Sequence, residues 1–288
     1  MSLFYRSYAD MSALISKKID VMTIHEFDLI VGIPRSGMIP AYMIALYLNI
    51  NCCSFPDLRE NQMIEKCGSR TIIDVVKYPQ NARKILIIDD SYGSGQKLKE
   101  MVESLPSTVR SKSIVGAIYS AQETIPMDSV LSFYLEYIPK PRLFEWNIYH
   151  HDLVRKSAFD IDGVLCFDPE EIENDDGEAY VHFLRNARAK FIPTLLIHTL
   201  VTSRLEKYRA ETELWLKAHR VIYSNLIMLD LPSQTERRKQ NIYASHKADA
   251  YKNDELILFF ESSSKFAEEI FNLSGKPVFC IENNTLYR

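Results

Sequence analysis

Two sets of acids stand where apolar runs give way to small residues. Asp89 and Asp90 follow the unbroken run Ile85-Leu86-Ile87-Ile88, and Asp160 and Asp162 follow Ala158-Phe159, just before Gly163. An apolar run of this kind reads as a buried parallel strand. After the first acid pair comes the turn Ser91-Tyr92-Gly93-Ser94-Gly95, and a helical pattern starts near Gln96. The backbone N–H groups of such a turn, with a helix N-terminus behind them, favour an anion, most readily a phosphate. Acids beside a phosphate cradle suit sugar hydroxyls or Mg²⁺ better than the phosphate, which they repel. Asp160 and Asp162 lie two apart, so both project from the same side of a strand end. There they can share a Mg²⁺ ion and still do separate jobs.

Elements with α/β alternation position these groups. Residues 1 to 25 read as one or two amphipathic helices, with Ala13-Leu14-Ile15 and Ile19 to Met22 on the apolar face. Asp28 to Val31 is a short strand leading into Gly32-Ile33-Pro34-Arg35-Ser36-Gly37, and a helix follows from Ile39 to Leu48. Gly37 and Ser36 let backbone approach a ligand, and the fork of Arg35 suits phosphate oxygens. The polar stretch within Asn51 to Tyr78 reads as a mobile lid, whose bases Lys66 and Arg70 either are solvated or contact an anion. Ser113 to Tyr119 and Val130 to Tyr137 are further strands. The segment Lys140 to Asn147 is aromatic and polar at once, and either packs the domain junction or shapes a pocket. His150-His151 lacks a third ligand and is not read as a metal site.

The strand, acid pair and Gly/Ser turn together resemble the phosphoribosyl-diphosphate (PRPP) motif of type I phosphoribosyltransferases. The resemblance implies that Asp89 and Asp90 face ribose hydroxyls and that Ser91, Tyr92, Gly93, Ser94, Gly95 and Gln96 form the 5-phosphate loop. It also implies that Arg35, Ser36 and Gly37 meet the pyrophosphate.

Asp160-Ile161-Asp162-Gly163 resembles motif one of the haloacid dehalogenase (HAD) superfamily phosphatases. By that resemblance Asp160 attacks phosphorus and Asp162 protonates the leaving group, then activates water. Thr202, at the end of Leu195 to Thr202, matches the hydroxyl of motif two. Lys247 matches the motif-three lysine, with Lys239 and Lys252 as rivals. Glu261, after the run Leu256 to Phe260, matches the motif-four acid, so the metal set is Asp160, Asp162 and Glu261 around Mg²⁺. A single acid followed by Ser262-Ser263-Ser264 departs from the two acids common in that motif. Residues 167 to 194 are too few for a large cap, which implies an open site.

The expected fold is therefore α/β in two domains, 1–150 and 151–288, each a mostly parallel sheet flanked by helices. The second is Rossmann-like with a minimal cap. A net charge of -4 argues against broad nucleic-acid binding. Five cysteines without metal-like spacing suit a reducing cytoplasm. No apolar run reaches membrane-spanning length.

The expected function is transfer of 5-phosphoribose from PRPP to an acceptor, followed by removal of the 5-phosphate. Neutral ribofuranose suits a glycan acceptor. The alternatives are a nucleobase phosphoribosyltransferase joined to a nucleotidase, and a PRPP-sensing module that regulates a phosphatase.

Overall fold

The computed structural model describes residues 3–65, 71–72, 75–174, 176–252 and 255–288. Lys66 and Arg70, the expected lid bases, lie outside the described residues. The chain divides into two compact units, Phe4–Trp146 and Asn147–Arg288, with Leu3 belonging to the second. Both are α/β, with parallel sheets flanked by helices.

The first unit begins with a short strand, β1 (Phe4–Arg6), where the sequence pattern suggests helix. Its partner is β7 (Arg142–Phe144), paired in parallel. That partner lies more than a hundred residues away, so no local pattern announces it. Helix α1 (Tyr8–Thr23) starts at a capping box between Ser7 and Asp10. Then follow β2 (Leu29–Gly32), α2 (Met38–Leu48), β3 (Asn51–Ser54), α3 (Phe55–Glu60), β4 (Ile85–Tyr92), α4 (Gln96–Glu103), α5 (Ser107–Arg110), β5 (Ser113–Ser120) and β6 (Phe133–Tyr137). The main sheet is parallel, in the order β3-β2-β4-β5-β6. Each face has its own core. Ile85 and Ile87 pack with Leu29, Val31 and Val102 on one face. Leu86 and Ile88 pack with Ile30, Ile44 and Phe144 on the other. Burial on both faces is why the strand sequence is apolar without alternation.

The second unit contains β8 (Ser157–Phe159), α6 (Glu178–Asn186), β9 (Ile197–Leu205), α7 (Arg209–Ala218), β10 (Tyr223–Leu229), α8 (Gln234–Gln240), α9 (Tyr243–Tyr251), β11 (Leu258–Glu261), α10 (Ser264–Ser274), β12 (Val278–Cys280) and β13 (Thr285–Tyr287). Its sheet order is β10-β9-β8-β11-β12-β13, parallel except for the antiparallel edge strand β13. Between Phe167 and Thr194, α6 and one short 3₁₀ turn, Glu171–Glu173, are the helical elements among the described residues. No helix among the described residues is long and apolar enough to cross a membrane.

Both sheets contain a topological switch point. In the first unit the chain moves outward from β2 to β3, then returns to place β4 on the other side of β2. In the second, β8 has β9 on one side and β11 on the other. Loops leaving such a pair of strands diverge to opposite sides and open a crevice at the carboxyl ends. The acids singled out in the sequence sit at these two places.

Candidate functional site

At the first switch point the loop after β2 meets the end of β4. The structure differs from the expected layout, because β4 does not stop before the acids but runs on to Tyr92. Neighbouring strand residues point to opposite faces. Asp90 therefore continues the row of Leu86 and Ile88, and Asp89 that of Ile85 and Ile87. Asp90 is buried, and both its oxygens are engaged. The Ser36 hydroxyl donates to Oδ1 at 2.7 Å and the Trp146 indole Nε1–H donates to Oδ2 at 2.7 Å. The resemblance gave ribose hydroxyls to both acids. Here Asp90 ties the β2 loop and the segment after β7 to the strand end, while Asp89 stays half-exposed.

Asp89 Oδ1 accepts the Asp90 backbone N–H at 2.9 Å. Burial pushes the Asp89 carboxyl up to about 8, helped by the charge of Asp90. Gly37 is needed for close approach here. A Cβ on it would sit 2.6 Å from the Ile33 carbonyl oxygen and 2.8 Å from Asp89 Oδ1. Arg35 is exposed in the same loop, and its guanidinium makes no hydrogen bond or ion pair with a described residue. Thus Asp89, Asp90, Ser36 and Gly37 come together, with Arg35 at the rim.

Ser91 is half-buried on the strand, so the turn proper is Gly93-Ser94-Gly95. Gly95 caps α4 with φ +79°, and a Cβ there would collide with the Tyr92 phenol. The Tyr92 hydroxyl meets Ser129 Oγ at 3.0 Å. A small cavity of about 110 Å³ opens at this turn, lined by Tyr92, Ser94, Gly95, Gln96, Lys99 and Ser129 among others. Lys99 was missed in the sequence, yet a signal was present. The first turn of this helix carries Lys97 and Lys99 and no acid, which the helix dipole disfavours unless an anion is bound.

The second switch point carries the denser constellation. Because β8 and β11 are parallel neighbours, Asp160 and Glu261 emerge side by side. Lys247 lies on the inner face of α9, whose buried positions are Ala244, Lys247, Ala248 and Tyr251. That is helical spacing, and it aims the ammonium at the sheet. Lys247 Nζ donates to Asp160 Oδ2 at 2.5 Å and to Glu261 Oε2 at 2.6 Å. Lys239 and Lys252 are exposed, and Lys252 pairs with Asp249. Of the three lysines, Lys247 is the one that meets the acids. Burial opposes charge on Lys247, but the two carboxylates hold it above its ordinary value.

Burial pushes Asp160 up to about 7; Lys247 pulls against this, and the charges of Glu261 and Asp162 add to it. Its Oδ1 accepts the Ile161 N–H at 2.8 Å. Glu261 Oε1 accepts the backbone N–H groups of Ser262 and Ser263 at 2.9 and 3.1 Å.

Asp162 has a partner outside the residues expected from the sequence. Arg204, wholly buried in β9, donates from Nη2 at 2.6 Å and from Nε at 3.1 and 3.2 Å to the Asp162 carboxylate. Arg204 also reaches Thr212 Oγ1 and Cys166 Sγ, each at 3.4 Å. Thr202, expected to present its hydroxyl to a phosphate, is buried, and its Oγ1 accepts the Arg204 backbone N–H at 3.2 Å. Ser203, on the other side of the strand, lines the cleft, but its Oγ is buried and has no hydrogen-bond partner among the described residues.

The cleft has a volume of about 480 Å³. Asp160, Asp162, Lys247 and Glu261 line it, with Asp168, Lys190 and Arg237.

The expected Mg²⁺ set fits in part. One ammonium between two buried carboxylates leaves negative charge over, and Asp160 and Glu261 converge as hard oxygen donors. Mg²⁺ is commonly held by one or two carboxylates, with phosphate and water oxygens completing its shell. Asp162 does not fit as a third ligand, because Arg204 grips both its oxygens. No group of three or more His, Cys, Asp and Glu poised to hold a metal occurs among the described residues. His150 Nδ1 meets Thr194 Oγ1, and His151 Nδ1 accepts the Leu153 N–H.

No family model matches the chain, and no curated protein matches it. Among solved structures, the chain is similar to the purine phosphoribosyltransferase from Pyrococcus horikoshii Ot3. That match has 17% identity and a TM-score of 0.37, and covers 51% of this chain and 94% of that one. The Helicobacter pylori xanthine-guanine-hypoxanthine phosphoribosyltransferase matches at 15% identity over 51% of this chain and 95% of its own, with a TM-score of 0.37. A chain of the Pnkp1/Rnl/Hen1 RNA repair complex matches at 14% identity over 97% of this chain and 94% of its own, with a TM-score of 0.30.

Proposed function

We propose that the chain is a two-centre enzyme. Its first unit transfers 5-phosphoribose from PRPP to an acceptor, and its second hydrolyses the 5-phosphate of the product. The observation that carries this reading is Lys247 bridging Asp160 and Glu261 at a strand-end cleft, beside an Asp162 held by Arg204. It is the charge arrangement that phosphoryl transfer to a carboxylate needs. Asp160 Oδ attacks phosphorus while the ester P–O bond breaks, and the departing oxygen takes a proton that Asp162 relays from solvent water. Asp162 then takes a proton from the water that hydrolyses the aspartyl-phosphate. Lys247 neutralises charge on the nucleophile and on the phosphoryl oxygens throughout. Asp160 and Glu261 would hold Mg²⁺, which supplies further charge neutralisation at the phosphoryl group.

In the first unit, the Gly93-Ser94-Gly95 turn and Lys99 support a 5-phosphate subsite, and Asp89 supports a contact with a ribose hydroxyl. Arg35, Ser36 and Gly37 occupy the loop for the pyrophosphate, which brings its own Mg²⁺. Transfer passes through an oxocarbenium-like state, so positioning and held hydroxyls are the help required. A phosphatase that acts on the product draws a reversible transfer forward and leaves neutral ribofuranose. That outcome suits a glycan acceptor better than a nucleobase.

The test is release of pyrophosphate and phosphate from PRPP and Mg²⁺ across acceptor pools, comparing wild type with Asp160→Asn. The variant is expected to release pyrophosphate and to accumulate a product still carrying 5-phosphoribose, whose mass identifies the acceptor. If no pool yields pyrophosphate while phosphomonoesters are cleaved, the transferase reading fails. The PRPP-sensing reading then takes its place, and the engagement of both Asp90 oxygens by Ser36 and Trp146 favours it as the second reading.

A further inference from the structure

The cleft of the second unit has a wall that the phosphoryl chemistry leaves unused. Tyr243, the first residue of α9, and Phe266, on the first turn of α10, both line it and both are half-buried. Their ring centroids are 5.6 Å apart, with planes tilted by 31°. Core aromatics of the same unit behave differently, since Phe259 and Phe260 are at most 1% exposed. Phe266 packs part of its surface on the core cluster and leaves the rest to the cleft.

Distance ties this wall to the reacting atoms. The Lys247 nitrogen is 2.5 Å from Asp160 Oδ2 and 5.8 Å from the Phe266 centroid, which bounds the ring to within 8.3 Å of that oxygen. A phosphorus atom on Asp160 brings the first ring of its leaving group into this range. Cations border the same rings: Arg237 lies 5.9 Å from the Tyr243 centroid, and Lys265 lies 5.8 Å from that of Phe266. Flat apolar faces beside positive charge are the composition that binds an anion attached to a ring.

We infer that Tyr243 and Phe266 are specificity-determining residues that select phosphomonoesters bearing a ring close to the phosphate, over acyclic ones. The inference rests on the phosphatase reading above. The ring is either the furanose of a sugar phosphate or the base of a nucleotide, and the two differ in how far they reach from phosphorus.

The experiment measures kcat/KM for uridine 5′-monophosphate, ribose 5-phosphate and glycerol 2-phosphate. It compares wild type, Tyr243→Leu/Phe266→Leu, and the ring-preserving Tyr243→Phe/Phe266→Tyr. Stacking on an aromatic side chain predicts that the ratio of ring-bearing to acyclic substrate falls about tenfold in the leucine variant and is kept in the ring-preserving one. A fall for both ring substrates assigns the wall to the furanose; a fall for the nucleotide alone assigns it to the base. An unchanged ratio in the leucine variant overturns the inference, as does an equal fall in the ring-preserving variant. If wild type cleaves none of the three, the phosphatase reading fails. Calorimetric binding of the same compounds to wild type and to the leucine variant then decides the wall separately: equal affinities overturn it.

Discussion

Replacing Lys247 with Met tests the second centre at its most charged point. The ammonium is 4% exposed and sits 2.5 and 2.6 Å from two carboxylates that are themselves 7% and 1% exposed. Methionine keeps the length of the side chain and removes the charge. Two buried acids are then left facing each other without a cation. Breaking a buried ion pair by removing one partner costs about 3–5 kcal/mol. In a unit of this size that corresponds to a drop of roughly 10 °C in Tm. The sign of the pH dependence follows from Asp160, which is already pushed up to about 7 with Lys247 in place. Without the ammonium the folded state holds protons to still higher pH, whereas the unfolded chain releases them near ~4. The deficit of the variant is therefore small near pH 5 and grows toward pH 8. Urea denaturation of both proteins at pH 5, 6, 7 and 8 measures it. Lys239→Met and Lys252→Met serve as controls, and each is expected within about 0.5 kcal/mol of wild type because both side chains are exposed. A Lys247→Met variant within about 1 kcal/mol of wild type at pH 8, or a deficit independent of pH, refutes the triad as described.

Asp89→Asn probes the first centre by the same linkage. The folded-state value of about 8 means that stability is fully present below the unfolded value and is lost as pH rises through 8. Asparagine carries no such loss, so the Tm of the variant relative to wild type should rise between pH 4 and 8 and level off above; a flat difference excludes the raised carboxyl. Trp146→Phe keeps a ring to stack on Phe144 but leaves Asp90 Oδ2 without its donor. The expected loss is about 1–3 kcal/mol in urea denaturation, and wild-type stability would show that the indole does not hold Asp90. Arg204→Lys replaces the fork on Asp162 with a point charge and should lower phosphomonoesterase kcat by at least about tenfold with the fold intact by circular dichroism; an unaltered kcat removes Arg204 as a positioning residue.

The buried strands were readable because an unbroken apolar run has few folded solutions. Ile85 to Ile88 must be covered on both faces, and the structure covers it with two separate cores. Where a strand stops was not readable. Acids are expected to end a buried run, yet β4 continues through Asp89 and Asp90, because Ser36 and Trp146 satisfy the carboxylate that turns inward. Trp146 is 56 residues from Asp90, and nothing near either residue encodes the contact. The Phe4–Arg6 strand was misread for the same reason, since its pairing with Arg142–Phe144 exists only in the folded chain.

Arg204 is the instructive omission, because its signal was local. It stands inside Ile197–Leu205, a strand with buried residues on both sides of it. An arginine in such a run is almost never buried unless paired, since an unpaired buried charge is too costly. Its presence therefore demanded a carboxylate close to the carboxyl end of that strand. The neighbouring strand in a switch-point topology ends in Asp160-Ile161-Asp162, and with Asp160 claimed by Lys247, Asp162 was the acid left to meet it. The same parity argument separates Thr202 from Ser203. Thr202 and Arg204 share one side of β9 and both end up buried, which leaves Ser203 on the side that faces the cleft.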